Sequence, residues 1–169
     1  MRFLSDEEAV TWCDQLSGRL VCTSGRPHLS MPFEKRIFRV PSSVREAFSF
    51  LQMLTSLLNS DFADGALLWI WDFEIGSEEF VQFGIDSIEI LRRGLGESRP
   101  LATAPATLFA SEERQQLLLL AAALLGLLWE TYIVPRSGNK LLFFNEDLLY
   151  VYSHDPLHGW SSMEEWRAD

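Results

Sequence analysis

A chain of 169 residues lies near the usual size of one domain, and at 47% hydrophobic residues, with 12 Phe and 6 Trp, it carries enough apolar side chain for a packed core. That composition excludes disorder over most of the length, with Arg26 to Lys35 and Gly94 to Pro105 expected to be the exceptions. A formal charge of −10 and a pI near 4.7 exclude the basic footprint of a nucleic-acid binder and point instead to a basic or neutral protein partner, or simply to solubility.

From Met1 to Glu8 the chain turns acidic before any apolar stretch develops, unlike a secretory leader, so a cytoplasmic location is expected. The Ser5-Asp6-Glu7-Glu8 run is a capping box, in which the Ser side chain and the Glu three residues on satisfy each other's orphan amides. It predicts a helix with an apolar stripe of Ala9, Val10, Trp12, Cys13 and Leu16, stopped at Gly18. Cys13 and Cys22 are the only cysteines; with no CxxC spacing and no secretory leader they are expected to be separate core thiols.

Arg19 to Thr23 predicts a short strand, Gly25, Pro27 and Pro32 a loop, and Ile37 to Val40 a second strand. Ser43 and Glu46 form another capping box, followed by Val44, Ala47, Phe48, Leu51, Leu54 and Leu58 at helical spacing. Asn59-Ser60-Asp61 ends that helix, and Asp64-Gly65 turns the chain into the strand Ala66 to Ile75. Period-two alternation places Leu67, Trp69, Trp71, Phe73 and Ile75 on one face and Leu68, Ile70, Asp72 and Glu74 on the other.

Ser77, with Glu78 and Glu79 at the positive end and Arg92 and Arg93 at the negative end, predicts the next helix, whose apolar side is Val81, Ile85, Ile88 and Leu91. After the polar stretch Gly96 to Pro105, Ser111 with Glu112 and Glu113 opens a helix to about Gly126. Its second half is apolar all round and should sit centrally; the run Leu117 to Trp129 falls short of the roughly 20 residues that cross a bilayer, so no membrane role is expected. Trp129 to Val134, Lys140 to Phe144 and Leu148 to Tyr152, joined by short polar connections, predict a three-stranded antiparallel meander. The expectation is one α+β domain over residues 1–153, with about four helices covering one face of a mainly antiparallel sheet, and a tail over 154–169 docked through Trp160 and Trp166.

Three groups of residues offer chemistry. Asp72 and Glu74, two apart at a strand end, would project paired carboxylates able to divide acid and base roles; the plainer alternative is that they cap the next helix or face water. His154 and His158 flank Asp155 as zinc-type ligands, but Pro156 prevents the helix that would align them, so a polar turn is favoured and no metal or other cofactor is expected. Trp160 and Trp166, in a polar tail, are candidate binding anchors for a partner or a second copy of the chain. No GxSxG elbow, phosphate loop, GxGxxG or HExxH is present.

The stretch Gly65-Ala-Leu-Leu-Trp-Ile-Trp-Asp-Phe-Glu-Ile-Gly-Ser77, with Ala106-Thr107-Leu108-Phe109 and Asn145-Glu146-Asp147 through Ser153, resembles a family of small bacterial proteins to which no activity is assigned. The resemblance covers roughly the C-terminal hundred residues and implies a bacterial origin and a shared fold. In size and acidity the chain is also similar to immunity proteins that neutralise cationic toxins. Two functions follow as expectations: a non-enzymatic acidic protein-binding domain of the immunity or inhibitor kind, or a small hydrolase or ligand-binding domain using Asp72 and Glu74.

Overall fold

The computed structural model describes residues 1–16, 20–30, 33–41, 43–57, 60–73, 77–157, 166 and 168. Its elements, in chain order, are β1 (Arg2–Leu4), α1 (Asp6–Asp14), β2 (Leu20–Thr23), β3 (Arg26–Leu29), β4 (Glu34–Arg39), α2 (Val44–Leu57), β5 (Ala66–Asp72), α3 (Glu78–Gly94), β6 (Ala106–Phe109), α4 (Arg114–Leu125), β7 (Glu130–Pro135), β8 (Lys140–Asn145) and β9 (Leu148–Ser153). Seven strands form one sheet in the order β1-β6-β5-β7-β8-β9-β4, every neighbouring pair antiparallel, and β2 and β3 form a separate hairpin. The fold is α+β. Among the described residues no helix is long and apolar enough to cross a membrane.

Capping explains where the helices begin. Ser5 Oγ accepts from the Glu8 amide at 3.3 Å while Glu8 Oε2 accepts from the Ser5 amide at 2.8 Å, closing the box read from the sequence. Ser43 and Ser77 accept from Glu46 and Phe80 amides in the same way, each at 3.3 Å.

Strand β5 supplies both cores, because its alternating side chains enter opposite faces of the sheet. Ala66, Leu68 and Ile70 join Phe50 and Leu54 of α2, Ile88 of α3 and Leu117, Leu120 and Leu124 of α4. Leu67 and Trp69 join Ala9, Trp12 and Cys13 of α1, Leu20 of β2 and Leu29 of β3. The helices therefore do not all lie on one face, as the element order suggested: α2, α3 and α4 cover one side, and α1 with the β2–β3 hairpin covers part of the other. Trp69, fully buried, fixes α1 there by donating from Nε1 to Asp6 Oδ1 at 2.8 Å. On the three-helix side α4 packs against both α2 and α3, the central place its apolar sequence predicts, although Leu119 remains exposed.

Several local expectations are corrected. Arg26 to Lys35 is not an exception to order where it is described: Ser24 (φ 54) and Gly25 (φ +79) make a left-handed two-residue turn, and Pro27 enters β3 opposite Cys22. Pro27 is accommodated because the hairpin's outer edge does not need its missing N–H. Nor is Gly94 to Pro105 disordered, since Glu97, Leu101 and Ala104 are buried around a short turn of 3-10 helix at Leu101–Thr103. Arg2–Leu4 and Ala106–Phe109 are strands that three- and four-residue runs do not announce. Strand β4 starts at Glu34 and pairs with β9, adding an edge strand from far upstream beside the three-stranded closing meander. A bulge between Ile70 and Asp72 shifts the register, so Phe73 turns from the side of Trp69 and Trp71 to pack on Trp129, with ring centroids 5.8 Å apart.

Candidate functional site

Only one member of the carboxylate pair inferred from alternation falls among the described residues. Asp72 stands half-buried at the end of β5, opposite Glu130 of β7 across the ladder, and Glu74 lies outside the described residues. The nearest described cation to Glu130 is Arg26, whose Nη2 is 3.6 Å from Glu130 Oε2 and whose guanidinium lies 5.1 Å over the Trp71 ring. His154 follows β9 and donates its backbone N–H to Asn139 at 2.9 Å; His158 lies outside the described residues. Among the described residues no group of three or more His, Cys, Asp or Glu is arranged to hold a metal ion.

Of the two tail tryptophans, Trp160 lies outside the described residues, whereas Trp166 is half-buried edge-on against Phe50 of α2, at 5.7 Å and 83°. The Ala168 amide also donates to Ile37 of β4 at 3.0 Å, and Leu157 is buried in the main core. Trp166 therefore spends at least part of its apolar surface on its own domain.

Two surfaces remain. The first is the outward face of α3. Ile85, Ile88 and Leu91 turn inward as their spacing requires, but Phe83 and Ile90 are 65% and 63% exposed, and Phe80 at the helix start is 38% exposed. Phe83 and Ile90 are seven residues apart, two turns along one side of the helix. Glu79 and Asp86 fall on that same side at helical spacing from them, Asp86 accepting from Gln82 Nε2 at 2.8 Å. The face is thus apolar in the middle and anionic alongside. Its signal in the sequence is a second apolar period, offset from the core stripe.

The second is a cleft of about 350 Å³ between the β2–β3 hairpin and the face of the sheet. Tyr132 and Phe143 form its floor, stacked at 4.5 Å and 17°, and Tyr152 and Phe33 meet edge-on at 5.4 Å on one wall. Arg26 and His28 of the hairpin stand on the rim. Burial pushes the Tyr132 hydroxyl up to about 12, with Arg26 pulling it down and Glu130 and Tyr152 pushing it further up. Alternation in β7, β8 and β9 places Tyr132, Phe143 and Tyr152 on one face, so the floor was legible; the roof was hidden by reading Pro27 as loop.

Between α1 and the β2–β3 hairpin, the thiols of Cys13 and Cys22 share a hydrogen bond. That bond raises the Cys13 pKa, as does its burial, and lowers that of Cys22; both cysteines are free.

Compared with known proteins, the chain matches no family model, no curated protein and no solved structure.

Proposed function

We propose that this chain is a non-enzymatic protein-binding domain of the immunity or inhibitor kind, which holds a basic protein through the outward face of α3. The observation that carries the reading is the exposure of Phe83 and Ile90 on one side of a well-anchored helix, with Glu79 and Asp86 beside them. Large apolar side chains that the fold does not bury supply affinity when a partner removes them from water. Carboxylates beside them repel acidic proteins and speed encounter with cationic ones. At a net charge of −10, a second copy of this chain is a poor occupant, because its matching face brings the same charges. The same charge argues against nucleic acid, and the setting proposed is the cytoplasm.

The test is a pull-down from the native host with the wild-type chain and the double variant Phe83→Ser, Ile90→Ser. A basic protein should be retained by the wild type at low salt, released as salt rises, and lost with the double variant while the thermal midpoint is unchanged. Equal retention by the double variant, or retention of no basic protein at all, would overturn the proposal.

A further inference from the structure

The cleft under the hairpin is separate from α3 and carries its own inference. Tyr132 lines it while being only 4% exposed, and among the described residues its hydroxyl has no hydrogen-bond partner. That hydroxyl is not among the side-chain polar atoms sealed from solvent without a partner, so it reaches the open cleft, where it is free to bond to water or to a ligand. Arg26, whose side chain is 44% exposed, is likewise available from the cleft. Its guanidinium is held over Trp71 and lies 3.6 Å from Glu130, beyond hydrogen-bond reach, and it donates to no described residue.

The hairpin holds that arginine in place. Gly25 adopts φ +79, and a Cβ there would stand 3.0 Å from the Trp71 ring, so the turn rests directly on the side chain over which Arg26 is stacked. The aromatic lining adds a shape requirement: Tyr132 and Phe143 stack on each other and so offer ring edges to the cleft, which the face of a flat ring meets in an edge-to-face contact, and a volume of about 350 Å³ is at the small end of ligand sites. Lys35, 5.8 Å from the Tyr152 ring centroid on β4, adds positive charge beyond the wall. Glu130 is the one described carboxylate paired with Arg26, and its distance leaves the guanidinium fork open.

We infer that the cleft is a binding site for a small planar aromatic acid, with the face of its ring against the edges of Tyr132 and Phe143, the carboxylate held by Arg26, and the Tyr132 hydroxyl donating to a polar atom of the ligand. Flat apolar surface and an anionic end are both needed, since the aromatic floor alone would take any flat molecule and the guanidinium alone any anion.

The probe is 2-naphthoate, titrated into the full chain by calorimetry and followed by aromatic NMR shifts. Saturable binding with one site should appear, with shifts at Tyr132 and Phe143. The neutral 2-naphthamide should bind about tenfold more weakly, and Arg26→Gln should weaken naphthoate about tenfold or more while leaving naphthamide unchanged. Tyr132→Phe should weaken both by about three- to tenfold with no loss of thermal stability, because the hydroxyl has no partner in the folded chain. Leu141→Trp, which fills the cleft from β8, should abolish binding and provides a second block that leaves Arg26 intact. No saturation to the solubility limit, equal affinity for the acid and the amide, or shifts confined to α3 would each overturn the inference. None of these outcomes bears on the partner of α3, which is read by retention of a protein and not by naphthoate.

Discussion

Glu97 shows how far a single side chain departs from what its sequence neighbours suggest. It is 6% exposed, accepts from Arg99 Nη2 at 2.7 Å and from Arg99 Nε at 3.1 Å, and stands 4.0 Å from the guanidinium of Arg92, which is 1% exposed. Hydrogen bonding from Arg99 holds its carboxyl below the usual carboxylate value of 4.5 despite burial. A depressed folded pKa means the stabilisation is complete above the unfolded value and is lost as pH falls through the folded one. Glu97→Gln should therefore cost about 2 kcal/mol at pH 7, less than the roughly 3–5 kcal/mol of a fully buried broken pair because Arg99 is half-exposed. The gap from wild type should close in urea melts as pH drops below about 4.5. A gap that stays constant with pH would show that the carboxylate's charge is not what matters. The sequence reader sees Arg92 as a helix C-terminal charge and misses this cluster, because Gly96 at φ +96 reverses the chain and brings Glu97 back onto it. The two cysteines are likewise legible as free thiols but not as neighbours. Cys13 is fully buried and Cys22 half-buried with its pKa lowered by their shared hydrogen bond, so an alkylating reagent should label Cys22 first and Cys13 only on opening of the fold, as read by mass spectrometry of the two peptides.

At the scale of elements, α3 is where packing overrules propensity. Gly84 lies in its middle, where Ala is intrinsically better by about 1 kcal/mol. Yet a Cβ at Gly84 would come within 2.6 Å of Trp129 Cζ2 and 3.3 Å of Leu127 Cδ2, and Trp129 is itself 1% exposed. Gly84→Ala should thus destabilise the chain by about 1–2 kcal/mol net, the overpacking cost of about 1–3 kcal/mol outweighing the propensity gain. A rise in the chemical-denaturation midpoint would mean that the helix can lift off Trp129 freely. The periodicity that located α3 is silent about this contact, since it records which side is apolar and not how closely the helix approaches. The four helices and the C-terminal meander were legible because caps and turn residues bracket long periodic runs. Strands β1, β3 and β6 were not, since three or four residues barely define a period and Pro27 signals a loop wherever its edge position is unknown. The bulge after Ile70 is equally invisible to strict alternation, which is why Phe73 packs on the face opposite to the one that alternation predicts.

For the whole molecule, the second core was the least legible feature: Trp12, Cys13, Leu20 and Leu29 meet Leu67 and Trp69 only through contacts distant in sequence. Net charge, by contrast, is readable at once and has a global consequence. With 24 acidic against 14 basic residues, the folded chain repels itself at neutral pH. Exposed pairs such as Arg39–Asp147 at 3.0 Å and Arg93–Glu89 at 3.5 Å are worth about 0–1 kcal/mol each and lose value in salt. Lys140–Asp61 at 2.7 Å, 12% and 9% exposed, is screened far less. Salt should therefore act mainly by relieving repulsion, and the thermal midpoint at pH 7 should rise between about 20 mM and about 500 mM NaCl. Near pH 4.7, where the net charge vanishes, that rise should disappear. Binding of a basic partner to α3 should move the opposite way over the same salt range, because screening weakens attraction between opposite charges as it weakens repulsion within the chain. A midpoint that falls with salt at pH 7 would mean that the exposed pairs outweigh the excess charge, and electrostatic steering toward α3 would then lose its physical basis.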